Sequence, residues 1–168
     1  RAFVEAEVEP QALEYDREEK FNLPLFKKLG ELGLLGVTVF EDCEGSGLDA
    51  VAAVIAHEEL SASDPGFCLS YLAHSMLFAN NLNLNGSEAQ RKRYLPGACS
   101  GELVGGMCMS EPNAGTDVLG MRTTSKPVEG GYVLNGAKMW ITNGAIDDET
   151  LGDVFLVYAR MEGAARHE

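Results

Sequence analysis

The strongest fold signal in the chain is the stretch Tyr132-Val133-Leu134-Asn135-Gly136-Ala137-Lys138-Met139-Trp140-Ile141-Thr142. Asn-Gly between two apolar runs is a strong signal for a tight β-hairpin, because both turn residues must accept positive φ. We therefore predict a turn at Asn135-Gly136, a strand over 132–134 and a returning strand over 138–142.

The residues on either side of this stretch also have strand character. Residues 103–109 form an apolar run typical of a buried strand, and residues 154–158 form a second one. Between the first run and the predicted hairpin, residues 110–115 are dense in turn-forming types. The chain after Gly101 is therefore predicted to be an antiparallel β domain.

The first hundred residues have helical periodicity instead. We predict a weakly amphipathic helix over 3–19, a helix opened by Pro24, a helix capped by Asp49, a buried helix over 67–84 and a helix over 88–95. The helix over 88–95 is expected to start at Ser87 and to stop at Pro96-Gly97, and residues 37–40 are expected to be extended. The fold class is α+β, with a helical domain over 1–102 and a β domain over 103–168.

Composition excludes several classes of function. Thirteen Lys and Arg residues against 26 Asp and Glu residues give a net charge of -13, so a nucleic-acid partner is not expected. The apolar run over 34–40 is far shorter than the ~20 residues that cross a bilayer, and no membrane partner is expected. No metal site is predicted, because none of the four cysteines has CxxC or zinc-ligand spacing. These are Cys43, Cys68, Cys99 and Cys108.

The segment Met107–Asp117 is a candidate ligand-binding site. A strand end followed by small residues exposes backbone groups and the hydroxyls of Ser110 and Thr116. Such groups can hydrogen-bond the edge of a planar heterocycle or a phosphate. The alternative is a strand that runs into a turn and binds nothing.

The segment Lys138–Gly144 is the second candidate. In an extended strand Trp140 and Thr142 would face the same side, so one flat cofactor could contact both. The alternative is a strand whose tryptophan packs in the core.

These two segments carry a resemblance to a known family. Met109-Ser110-Glu111-Pro112-Asn113-Ala114-Gly115-Thr116-Asp117 resembles the signature T/S-E-P-x-A-G-S-D of acyl-CoA dehydrogenases. Residues 135–144 resemble the second signature of the same family, N-G-x-K-x-W-I-T-N, and residues 29–37 and 45–49 resemble its N-terminal text. Within the family, residues 69–75 and 109–113 are most similar to isovaleryl-CoA dehydrogenases.

The resemblance implies a reaction and a fold. Family members remove a proton from Cα and a hydride from Cβ of an acyl-CoA thioester, give trans-2-enoyl-CoA, and use FAD as hydride acceptor. They pass electrons to an electron-transfer flavoprotein and form homotetramers. The implied fold is a helical N-terminal domain, then the first part of an antiparallel β-barrel middle domain, with the C-terminal helical bundle missing.

The resemblance also assigns site residues one by one. Ser110 is expected at the pyrimidine end of the flavin, Trp140 beside its ring and Thr142 near N5. Thr116 stands where the family has a serine between cofactor and acyl-CoA, and it is therefore the expected substrate-binding residue. The full set of expected cofactor-binding residues is Met107, Cys108, Met109, Ser110, Gly115, Thr116, Trp140, Ile141 and Thr142.

The catalytic base is not assigned to any residue of this chain. In the family the base is a glutamate of the C-terminal helical domain, and both ends of the chain are expected to be cuts. Two alternatives therefore stay open: a relative resembling acyl-CoA or nitroalkane oxidases, in which oxygen reoxidises the flavin, and a truncated fragment that folds or interacts without catalysis. The expected location is the bacterial cytoplasm or the mitochondrial matrix.

Overall fold

The computed structural model describes residues 1–163, and most of its first hundred residues are helical, as predicted. The α-helices are α1 (Glu9–Arg17), α2 (Leu23–Glu31), α3 (Ala50–Ser63), α4 (Pro65–Leu72), α5 (Asn81–Asn85) and α6 (Glu88–Ser100). A π-helical segment (Val4–Val8) precedes α1. A second one (Ala73–Asn80) joins α4 to α5, so that these three form one continuous helix.

Polar side chains fix where four of these helices begin. The side chain of each capping residue accepts a hydrogen bond from a backbone N–H of the first turn, which would otherwise lack a partner. The caps are Asn22 for α2, Asp49 for α3, Asp64 for α4 and Ser87 for α6. Ser87 forms a reciprocal capping box with Gln90, so the predicted starts at Asp49 and Ser87 are confirmed.

The continuous helix from α4 to α5 contributes fully buried side chains to the core and contacts both halves of the chain. Tyr71, His74 and Phe78 are fully buried along it. His74 Nε2 donates to the carbonyl oxygen of Ala98 in α6, and Nδ1 accepts from the backbone N–H of Gly105, each at 2.9 Å. The His74 ring therefore connects the helical half to the first strand.

Two local predictions in the helical half are wrong. Residues 37–40 form turns rather than an extended segment, because their backbone groups bond within the loop, as Leu48 N does to Val37 O. Helix α6 does not stop at Pro96 but continues to Ser100. A proline inside a helix costs about 3 kcal/mol. Leu95 before the proline and Ala98 and Cys99 after it are buried, and this burial offsets the cost.

The second half is built of short strands, which confirms the α+β class. They are β1 (Gly105–Cys108), β2 (Thr124–Val128), β3 (Gly131–Asn135), β4 (Val154–Val157) and β5 (Arg160–Met161). In residues 1–163, β1 pairs with β4, while β2 lies between β3 and β5. The predicted antiparallel pairing is correct for β2 and β3 but wrong for the other two pairs, which are parallel. The alternation of apolar residues predicts which face of a strand is buried, but not whether the neighbouring strand runs parallel or antiparallel.

The predicted hairpin at Asn135-Gly136 is not formed, because residues 131–135 pair with β2 instead. The tight turn is Glu129-Gly130, since Val128 pairs with Gly131, and Gly130 adopts a positive φ of 80°, which glycine accepts at no steric cost. Residues 138–142 do not return as a strand. Trp140 has a φ of 56°, which no regular strand accommodates.

Strand β1 lies directly against the π-helical segment 73–80. A Cβ placed on Gly105 would be 2.2 Å from the ring of Phe78, so only glycine allows this approach. None of the helices within residues 1–163 is long and apolar enough to cross a membrane.

Candidate functional site

A cavity of about 160 Å³ opens where helix, strand and loop meet. The π-helical segment supplies Ala73 and Leu77 on one side. The remaining lining residues all belong to the predicted ligand-binding set: Met107, Met109, Ser110, Trp140, Ile141 and Thr142. The structure thus brings together six residues from two segments that are thirty positions apart in the chain.

Alternation along β1 explains which residues of the first segment line the cavity. Met107 and Met109 face it, while Cys108 between them is buried on the other side of the strand. Burial raises the pKa of the Cys108 thiol, and the nearby Lys138 ammonium opposes that shift. Cys108 is therefore a neutral core residue here and does not line the cavity.

Gly115 and Thr116 do not line the cavity either. Both are exposed, and no atom lies within 4 Å of a Cβ built on Gly115. They follow a tight turn in which Glu111 N donates to Ala114 O at 2.9 Å and Ala114 N donates to Glu111 O at 3.2 Å.

An ion pair fastens the two lining segments to each other. Lys138 Nζ is 2.9 Å from Glu111 Oε1, and these side chains are only 11% and 2% exposed. The same ammonium donates to the carbonyl oxygen of Met109 at 2.9 Å, and Met139 N donates to Ser110 O at 3.0 Å.

The Glu111 carboxylate is held ionised by its partners. Burial alone would raise its pKa, but hydrogen bonds from the backbone N–H of Arg122, from Thr123 and from Lys138 lower the pKa to about 2. The backbone groups of Arg122 and Thr123 lie 2.6 and 2.9 Å from its oxygens. Glu111 is thus a fully engaged structural anion and not a free base.

The Trp140–Thr142 loop presents its side chains in an unusual backbone conformation. Trp140 is 80% exposed, so the interpretation of this residue as a core tryptophan is wrong. Its φ of 56° is rare for a bulky residue and stores strain. A hydrogen bond from Gly144 N to Ile141 O at 2.9 Å closes the turn that follows.

The cavity has the chemistry of a binding site rather than of an acid–base site. Its lining side chains offer two hydroxyls, from Ser110 and Thr142, one indole and several apolar surfaces, with no titratable group. Neither hydroxyl is hydrogen-bonded to another of residues 1–163, so both are free to bind a ligand. No cluster of possible metal ligands occurs in the described part of the chain.

Sequence reasoning missed three residues that shape the site. Glu111, Lys138 and Asn143 all lie within the two signature segments, but the sequence assigns no role to any of them. The signal that could have identified them is a charged or amide side chain next to the predicted ligand-binding residues, because such a side chain needs specific partners if it is buried.

Comparisons with known proteins place the chain in a family. Residues 1–102 match the model of the acyl-CoA dehydrogenase N-terminal domain, and residues 106–168 match that of the middle domain. The chain is 45% identical over 165 residues to the mitochondrial isovaleryl-CoA dehydrogenase of Pongo abelii, which covers 97% of this chain and 38% of that protein.

Two solved structures are similar in both fold and sequence. An acyl-CoA dehydrogenase complexed with FAD from Bacillus anthracis has a TM-score of 0.84 and 41% identity, over 96% of this chain and 27% of that one. A structure described as the electron transferring flavoprotein of Acidaminococcus fermentans has a TM-score of 0.85 and 35% identity, over 94% of this chain and 40% of that one. The chain thus spans well under half the length of these relatives.

Proposed function

This chain belongs to the acyl-CoA dehydrogenase family, and we propose that the intact protein oxidises an acyl-CoA thioester to trans-2-enoyl-CoA with FAD as cofactor. The observation that carries the proposal is the convergence of the two signature segments on one cavity. In this proposal residues 1–102 form the helical N-terminal domain and residues 103–168 begin the middle domain.

The lining residues fit one edge of a flavin. An indole beside the cavity suits a flat ring system, and the hydroxyls of Ser110 and Thr142 suit a heterocycle edge with donors and acceptors. The volume of about 160 Å³ is below the roughly 300 Å³ of a typical small-molecule site. The rest of the FAD site would therefore come from other parts of the protein.

FAD, when bound, would accept the hydride from Cβ of the substrate. The chain's own residues would bind and orient the ring: Ser110 would hold its pyrimidine end, Trp140 would lie alongside and Thr142 would lie near N5. Met107, Met109 and Ile141 would shape the surface around it. Gly115 and Thr116 stand outside this cavity, and we assign Thr116 to contact both cofactor and acyl-CoA, with Cys108 supporting β1 from behind.

The proton acceptor for Cα would lie outside this chain. Glu111, a carboxylate close to the cavity, is bound by Lys138 and two backbone N–H groups, and the pKa of about 2 makes it a very weak base. We therefore propose no catalytic residue among residues 1–163.

The relatives guide the choice of substrate and partner. The similarity to isovaleryl-CoA dehydrogenase supports a short branched acyl-CoA as substrate. We propose an electron-transfer flavoprotein as electron acceptor and a homotetramer as assembly, in a bacterial cytoplasm or a mitochondrial matrix.

The test is anaerobic reduction of the purified intact protein. We expect a yellow protein whose flavin absorbance is bleached by isovaleryl-CoA faster than by butyryl-CoA, and which then reduces an electron-transfer flavoprotein. Rapid reoxidation by oxygen alone would favour the oxidase alternative. A protein that cannot be reconstituted with FAD would overturn the proposal.

A further inference from the structure

Asn143 connects the Trp140–Thr142 loop to both layers beneath it. Its Nδ2 donates to the carbonyl oxygen of Ser70 in α4 and to that of Gly105 in β1, each at 3.0 Å. The residue is only 6% exposed. One amide thus joins the loop to a helix of the first domain and to a strand of the second.

The backbone conformation of Asn143 also favours asparagine over most other residue types. Its φ is 64°, and it is the third residue of the turn that the bond from Gly144 N to Ile141 O closes. A positive φ at that position favours glycine or asparagine. Asparagine therefore supplies the turn conformation at low strain and two hydrogen bonds in addition.

The residue before Asn143 has little room to move. A Cβ on Gly106 of β1 would be 2.7 Å from the carbonyl oxygen of Thr142, so the loop backbone lies directly on the strand. At the other end of the loop, Lys138 is held by Glu111 and Met109. Trp140, Ile141 and Thr142, which line one side of the cavity, lie between these two attachments.

We propose that Asn143 is a positioning residue that sets where Trp140 and Thr142 stand in the cofactor cavity. The proposal rests on the proposed function, since its effect is exerted on a bound flavin. Asn143 does not line the cavity, whereas Trp140 and Thr142 do, so it would act through these two residues. Loss of its amide releases the C-terminal end of the loop, and the strained Trp140 backbone then relaxes toward a commoner conformation.

The experiment compares two variants of the intact protein. Asn143→Gly keeps the positive φ but removes both hydrogen bonds. Asn143→Asp keeps the shape but turns an oxygen toward two carbonyl oxygens, where only a protonated carboxyl could donate one bond. The stability control is Val8→Ala, a fully buried apolar position at the end of the π-helical segment before α1 that does not line the cavity.

For Asn143→Gly we expect FAD still to bind while the rate of flavin reduction falls by about tenfold or more, because small misplacements of reacting groups are costly. The dissociation constant for acyl-CoA should change little, and hydrogen exchange over residues 139–145 should rise. For Asn143→Asp we expect a similar loss that is partly reversed as the pH is lowered. Val8→Ala should lower the melting temperature without either effect.

Two kinetic results would overturn the inference. One is a wild-type rate of flavin reduction in Asn143→Gly; the other is a loss in Asn143→Gly that Val8→Ala reproduces at matched melting temperature. If the wild-type protein is not reduced by any acyl-CoA, the proposed function alone fails. The inference fails separately if Asn143→Gly leaves hydrogen exchange over residues 139–145 unchanged.

Discussion

Lys138 Nζ lies 2.9 Å from Glu111 Oε1 and 2.9 Å from the carbonyl oxygen of Met109, so one ammonium group joins the two segments that line the cavity. The pair is buried, and a buried ion pair is tolerated only when both charges have good partners. Glu111 has them, since two backbone N–H groups complete its coordination. The arrangement fixes geometry between segments that share no strand pairing.

Removal of this cation should destabilise the chain. Lys138→Met leaves the Glu111 carboxylate buried without its counter-ion, and we expect the free energy of unfolding to fall by about 3 kcal/mol. Denaturant unfolding measures it. The control is Lys92→Met, which breaks an exposed ion pair with Glu88 and should change stability by less than about 1 kcal/mol.

The double variant Glu111→Gln/Lys138→Met sharpens this test. With both charges gone, part of the lost stability should return, because no uncompensated charge remains buried. A double variant no more stable than Lys138→Met, or equal effects of Lys138→Met and Lys92→Met, would contradict the role of the pair.

His74 predicts a pH dependence of stability. Burial disfavours the charged form of the ring and lowers its pKa from 6.5 to about 4. The unfolded chain therefore binds the proton first: the stability is fully present above pH 6.5 and is lost as the pH falls toward 4. The loss should be on the order of 3 kcal/mol.

Denaturant unfolding as a function of pH measures this effect, and His74→Gln is the matched variant. It should be less stable at neutral pH but should lack most of the slope between these two pKa values. Glu111, whose pKa is lowered to about 2, should also reduce the free energy of unfolding on acidification, but mainly at lower pH than His74 does. An unchanged slope in His74→Gln would show that another group is responsible.

The sequence predicted the parts of this structure that depend on local chemistry. Helix starts at Asp49 and Ser87 followed from side chains that cap nearby N–H groups. The site residues Met107, Ser110 and Trp140 came from the family resemblance, and the structure places them at one cavity. Strand direction and the loop at 138–142 could not be predicted, because they depend on contacts between distant residues.

Asn135-Gly136 illustrates that limit. The dipeptide is compatible with a tight turn, but the strand before it already pairs with β2 through the turn at Glu129-Gly130. Beyond Gly136 the chain does not return along β3, because the Lys138 ammonium binds the Glu111 carboxylate. A distant buried carboxylate overrides the local turn preference.

Gly106 should be intolerant of even one extra methyl group. Its Cβ would be 2.7 Å from the carbonyl oxygen of Thr142, which is backbone and cannot rotate away. We expect Gly106→Ala to cost about 1 to 3 kcal/mol of stability and to displace Thr142 in the cavity. Denaturant unfolding of the chain, with flavin reduction of the intact protein, measures both effects.

Gly131→Ala is the control for that prediction. No atom lies within 4 Å of a Cβ at Gly131, and this exposed residue begins β3. Its effect on stability should stay within about 0.5 kcal/mol. Equal stabilities for the two variants would show that β1 can move away from the loop.

Trp140 allows a direct test of the site in the isolated chain, because it is the single tryptophan of the sequence. With 80% of its surface exposed, it should emit at the long wavelengths of a solvated indole and be quenched readily by acrylamide. Since the cavity of about 160 Å³ holds only part of a flavin, we expect added FAD to bind weakly or not at all. Titration followed by both tryptophan and flavin fluorescence measures this binding, with Trp140→Phe as the blank. Stoichiometric tight binding would mean that residues 1–168 already form a complete cofactor site, and blue-shifted emission resistant to acrylamide would mean that the indole is buried after all.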